Sequence, residues 1–119
     1  MEIRFSLSIH GENGEKFFGE GPYRLLKGIA RLGSLRSAAQ EMNMAYTKAF
    51  RILKNAEEQL GFPLTSRKIG GRQGGGSVLT PEAEDLLARY EALKTDCSRE
   101  LQRLYTLHFA HFGQEETHG

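Results

Sequence analysis

With 119 residues, 39% of them hydrophobic and 26% charged, the chain has the size and composition of one domain around a single core. It contains no apolar run near the ~20 residues of a membrane span, and MEIRFSLSIH is too short and too alternating for a signal peptide. Its lone cysteine, Cys97, excludes an intrachain disulfide and points to a reducing cytoplasm.

The formal charge of +1 conceals an asymmetry: residues 21–79 carry ten Lys/Arg against three Glu, while residues 1–20 and 80–119 are net acidic. A cationic middle within a near-neutral protein suggests a polyanionic partner.

Arg4 to His10 (RFSLSIH) places Phe5, Leu7 and Ile9 on one face, the period-two pattern of a half-buried strand. Gly11 to Gly14 supply turn residues, and Lys16-Phe17-Phe18 completes an N-terminal hairpin. Pro22 suits the first position of a helix, whose stripe of Leu25, Leu26, Ile29, Ala30 and Leu32 ends at the left-handed cap Gly33. Ser34 then caps a second helix, with Leu35, Ala38, Ala39 and Met42 on its buried face. The paired alanines allow a neighbouring helix to come close. Asn43 falls where the following turn needs a residue tolerant of positive φ, and Met44 plugs the core beneath it.

A third helix runs from Ala45 or Tyr46 to Leu60, and Gly61 stops it. Ala49, Leu53, Ala56 and Leu60 share a narrow arc, with Thr47, Arg51, Lys54 and Glu58 opposite and facing solvent. Tyr46 and Phe50 occupy one shoulder, Lys48 and Asn55 the other. Phe50 is expected to pack against a neighbouring element; the alternative is contact with a thymine methyl or a sugar. Two helices joined by a tight turn, the second presenting cations, form a helix-turn-helix over residues 34–60.

The strand-like run from Leu64 to Ile69, the glycine-rich segment 70–76 and Ser77-Val78-Leu79 read as a hairpin forming a wing over 64–79. The segment is neither a P-loop, because no lysine precedes Ser77, nor a dinucleotide fingerprint, because GxGxxG is absent. Thr80 and Pro81 open a last helix predicted over 80–109, with Glu82, Glu84 and Asp85 complementing its dipole. Leu86, Tyr90, Leu93, Cys97, Leu101 and Leu104 recur at steps of three or four, a stripe long enough for a dimer seam. Residues 110–119 are expected to be a disordered tail.

No HExxH, GxSxG or CxxC appears, and His108, His111 and His118 lack partners at metal-ligand spacing. Cys97 sits on the helical stripe, where a thiol is usually inert. The expectation is a non-enzyme without metal or cofactor.

Three segments carry a family resemblance. Gly33-Ser34-Leu35 with Ala38-Ala39 matches "GSIxxAA"; Met44-Ala45-Tyr46 with Ala49-Phe50 matches "(I/M)SYxxAW"; and Gly70 to Thr80 matches "GGxxGGGAxLT". The chain thus resembles the N-terminal DNA-binding domain of the molybdate-responsive ModE-type transcriptional regulators, related to the LysR-type helix-turn-helix, over about residues 3–108. Ala45 stands where that family usually has serine. The resemblance implies a dimer with its recognition helix in the major groove and its wing on the backbone. Full regulators of the family append molybdate-binding domains; this chain ends at residue 119, so molybdate sensing is not carried over.

The expectation is therefore an α+β winged helix-turn-helix with an N-terminal strand or hairpin (1–79) and a long C-terminal dimerisation helix. It is read as a homodimeric, sequence-specific transcriptional regulator binding double-stranded DNA, with any effector supplied by a separate protein. Tyr46, Thr47, Lys48 and Arg51 are assigned to bases or their vicinity, and Lys54, Arg67, Lys68 and Arg72 to phosphates. The alternative is a winged-helix protein-interaction module that no longer binds DNA.

Overall fold

A computed structural model describes residues 2–67 and 76–118, with side chains described up to Phe112. Contacts divide the chain into two compact units, Leu7–Ala88 and Met1–Ser6 with Arg89–Gly119.

The first unit opens on an antiparallel hairpin, β1 (Ile9–His10) with β2 (Lys16–Phe18), whose register shifts between Ile9 and His10. This strand is shorter than the alternation of residues 4–10 predicts: residues 4–8 lie outside the ladder, and Phe5 is exposed. The apolar residue that the hairpin buries completely is Phe18.

Helix α1 (Glu20–Leu32) begins two residues before Pro22. Its first helical hydrogen bond runs from the Tyr23 N–H to the Gly19 carbonyl (3.0 Å), so the missing N–H of Pro22 still leaves no bond unmade. Gly33 ends α1 at φ 80°, its N–H bonded to the Ile29 carbonyl at 2.8 Å. Ser34 at once caps α2 (Leu35–Glu41), its Oγ accepting the Ser37 N–H at 3.0 Å. The two helices lie so close that a Cβ on Gly28 would stand 2.9 Å from the Ala38 Cβ. The small-residue pair was readable in the sequence; Gly28 is its counterpart on α1. Across the same junction Arg31 grips the Glu41 carboxylate with two nitrogens (Nη1–Oε2 2.8 Å). That hydrogen bonding holds the Glu41 carboxyl below its usual range and the Arg31 guanidinium above its own.

Asn43, at φ 54°, makes the turn into α3 (Tyr46–Leu60). Ala49, Leu53 and Ala56 form the buried face of α3, and Leu60 is half-buried. Beyond Gly61 the wing strands β3 (Thr65–Arg67) and β4 (Ser77–Leu79) pair antiparallel, Thr65 opposite Leu79 and Arg67 opposite Ser77. Three bonds anchor this hairpin. The Ser77 N–H reaches the Gly33 carbonyl (2.8 Å), the Thr80 N–H the Leu64 carbonyl (3.0 Å), and the Leu64 N–H the Glu57 carboxylate (2.7 Å). Thr80 then caps the next helix, accepting the Ala83 N–H at 3.1 Å while its hydroxyl donates to the Pro63 carbonyl. Phe18, Leu25, Leu26, Ile29 and Leu64 form the fully buried centre.

Helix α4 (Pro81–His118) runs past the expected end at 109, across a break in helical geometry at Phe109 (φ −126°, ψ 18°). The backbone of residues 110–118, read from the sequence as part of a disordered tail, is helical. Within the second unit Tyr105, Phe109 and Phe112 form a chain of rings with successive centroids 5.5 Å apart. No described helix is long and apolar enough to cross a membrane.

Candidate nucleic-acid interface

Helix α3 projects its outer residues because its inner arc is spent on the core. Thr47, Arg51 and Lys54 are exposed, as the 100° spacing predicts, and Tyr46 and Lys48, read as lying on the shoulders, are exposed too. The helix starts at Ala45, whose extended backbone lacks a side-chain cap.

Beside α3 lies an open cleft of about 470 Å³ lined by Ser34, Leu35, Arg36, Tyr46, Lys54, Thr65, Ser66, Arg67, Gly76 and Ser77. It joins the start of α2, the outer face of α3 and the base of the wing. Among the described residues that line it are the cations Arg36, Lys54 and Arg67 and no carboxylate. Lys54 is itself paired, its Nζ 3.2 Å from Glu57 Oε1. A second cleft of about 400 Å³, between α1 and β4, contains both Arg31 and Glu84 and has no such bias. The cationic cleft is the candidate site.

Of the residues assigned to DNA from sequence, Tyr46, Lys54 and Arg67 meet in this cleft. Thr47, Lys48 and Arg51 are exposed along α3 but do not line it. Lys68 and Arg72, with most of the glycine-rich wing segment, lie outside the described residues.

Sequence reasoning missed two features. Arg36, in the first turn of α2, places its guanidinium 4.6 Å from the centroid of the Tyr46 ring, a cation–π distance. Its signal was a cation two residues after the Ser34 cap, on the first helix of the helix-turn-helix, for which only buried positions were assigned. Phe50 was expected to pack against a neighbouring element, yet it is 43% exposed. Leu53 takes the inward position on the next turn, leaving Phe50 on the shoulder, where it stacks on Tyr46 at 6.3 Å with Lys54 Nζ 5.4 Å from its ring. Among the described residues no three His, Cys, Asp or Glu side chains are grouped to hold a metal ion.

Residues 23–84, from α1 to the first turn of α4, match the model for bacterial regulatory helix-turn-helix proteins of the lysR family. The chain belongs to that family. Within this lysR-type frame it is similar to ModE-type regulators, in agreement with its sequence motifs. It is 37% identical over 81 residues to the molybdenum transport protein ModE of Azotobacter vinelandii, covering 68% of this chain and 30% of that protein. It is 36% identical over 75 residues to the molybdenum-pterin-binding protein MopB of Rhodobacter capsulatus, covering 63% and 28%. With the DNA-binding transcriptional dual regulator ModE of Escherichia coli K12 it shares 33% identity over 94 residues, covering 77% and 34%. The chain thus spans about a third of the length of these relatives. The lysR-type match coincides with the helix-turn-helix and wing base that form the cleft, a regulatory and not a catalytic architecture.

The residues expected at a dimer seam lie along α4. Tyr90 is buried within one chain; Leu86, Cys97, Leu101 and Leu104 are half-buried, and Leu93 is exposed.

Proposed function

We propose that the chain is the DNA-reading part of a transcriptional regulator that binds double-stranded DNA as a homodimer. Helix α3 enters the major groove, and the wing lies against the backbone. The observation that carries this reading is the cleft in which Arg36, Lys54 and Arg67 meet beside the exposed start of α3, with no carboxylate among its described lining residues. Residues early in a recognition helix reach base edges, while flanking cations neutralise phosphates. Tyr46, Thr47, Lys48 and Arg51 are therefore the base-side set, and Arg36, Lys54 and Arg67 the phosphate-side set, joined by Lys68 and Arg72. The relatives are named for molybdenum transport, molybdenum-pterin binding and transcriptional regulation, and in this protein an effector would act through a domain or partner beyond the reading head. The chromosome as partner places the protein in the cytoplasm.

Fluorescence anisotropy on random-sequence duplex DNA across a salt series tests the proposal. The five cations of the phosphate-side set should give a log–log slope of about −4 for one protomer. Absence of binding at about 20 mM salt would overturn the reading, since the sequence-independent electrostatic attraction needs no operator.

A further inference from the structure

Phe50 and Tyr46 form an exposed aromatic pair on a helix whose inner face already fills the core. They are 43% and 39% exposed, and their rings stack with 29° between planes. Each ring carries a cation: Arg36 over Tyr46, at 4.6 Å, and Lys54 near Phe50, at 5.4 Å. The order along this edge is Arg36, Tyr46, Phe50, Lys54. It is an apolar strip with a cation at each end, Lys54 being paired also with Glu57, and among the described residues both rings stay largely outside the core.

We infer that this strip reads thymine through its 5-methyl group, which makes Phe50 a specificity-determining residue. The inference rests on the DNA-binding reading above. The major groove offers one apolar group to a protein, the thymine methyl, and aromatic side chains are among those that contact it. The flanking cations match what surrounds such a methyl, since phosphates lie on either side of the groove. A protein partner with an acidic, apolar pocket could occupy the same strip, and the experiment separates the two.

The probes are two duplexes of equal length, alternating d(AT) and alternating d(AU), which differ in the 5-methyl group. Binding is measured by anisotropy at low salt, with equal amounts of unlabelled random-sequence duplex as competitor. Burying one methyl is worth about fourfold in affinity. The wild type should favour d(AT) over d(AU) by about four- to fifteenfold as one or both rings engage. Phe50→Ala should reduce this ratio to near one while still binding both duplexes, because the cations remain. Tyr46→Ala should reduce it in part. Far-UV circular dichroism matching the wild type shows that both variants fold.

Equal wild-type affinity for d(AT) and d(AU) would overturn the inference and leave DNA binding intact. A preference that survives in both variants would overturn it too, placing methyl recognition elsewhere on the protein. Failure to bind either duplex at about 20 mM salt would instead reject the DNA-binding reading, and this inference with it. The strip would then belong to a protein partner.

Discussion

At residue scale the start of α3 is the position most open to improvement. Ala45 has the extended backbone of an N-cap but offers no side-chain acceptor, whereas Ser34 caps α2 through its hydroxyl. Ala45→Ser should therefore raise the unfolding free energy by about 1 kcal/mol, read as a shift in urea midpoint at constant m value. An unchanged midpoint would mean that the first-turn amides already have partners. The Arg31–Glu41 pair gives a prediction in pH. The Glu41 carboxyl is lowered chiefly by its hydrogen bonding to Arg31, against a reference of 4.5. A depressed carboxyl contributes stability above its unfolded value and loses it as pH falls through the folded one. Melting temperatures of wild type and Glu41→Gln should therefore differ most near neutrality and converge in acid below that reference. Curves that stay parallel to the lowest pH would show that the pair adds no pH-dependent stability. The gap should be small, since both groups are solvent-exposed and salt screens them.

At element scale Glu57 couples the recognition helix to the wing. Its carboxylate takes the Leu64 N–H at 2.7 Å and the Lys54 ammonium at 3.2 Å, and its side chain is only 12% exposed. Glu57→Ala leaves the Leu64 amide without its acceptor and should destabilise the fold by about 1–3 kcal/mol. Hydrogen exchange at the Leu64 amide should accelerate, while Glu57→Gln, which keeps an acceptor oxygen, should largely restore protection. Equal protection in wild type and Glu57→Ala would remove Glu57 from the wing anchor. This coupling is the kind of contact a sequence hides. Gly33, Asn43 and Gly61 announce the helix ends because positive φ is a local demand. Thr80 announces its cap for the same reason. Glu57 reads as one more charge on a helical surface, since the amide it serves lies seven residues on, beyond a chain reversal. Arg36 was hidden likewise, its target ring being on another helix. Phe50 misled in the opposite direction: hydrophobicity argued for burial, but Leu53 had the better angle. The N-terminal alternation overstated its strand because pairing partners, not periodicity, set strand length, and β2 offers only three residues.

At the scale of the whole molecule, the proposed dimer needs apolar surface that one chain leaves uncovered. Helix α4 carries it: Leu93, Leu107, Phe109 and Phe112 are all exposed. Leu93, Cys97, Leu101 and Leu104 recur at steps of four, four and three, an arc of about 80° on a regular helix. Tyr90 shares that arc but is buried within its own chain, so the seam should begin at Leu93 and run towards Leu104. A two-fold dimer joined along this seam would present two copies of α3 and turn modest affinity for one half-site into avidity for two. Replacing Leu101 and Leu104 together by Glu sets four carboxylates in one dimer interface while leaving the core of the reading head untouched. Sedimentation equilibrium should find the wild type a dimer and the double variant a monomer, with the helix-turn-helix still folded by circular dichroism. The monomer should keep weak, salt-sensitive binding to random DNA but lose about tenfold or more on a two-half-site operator. A double variant that still sediments as a dimer would move the interface off this stripe, towards the ring cluster of Tyr105, Phe109 and Phe112.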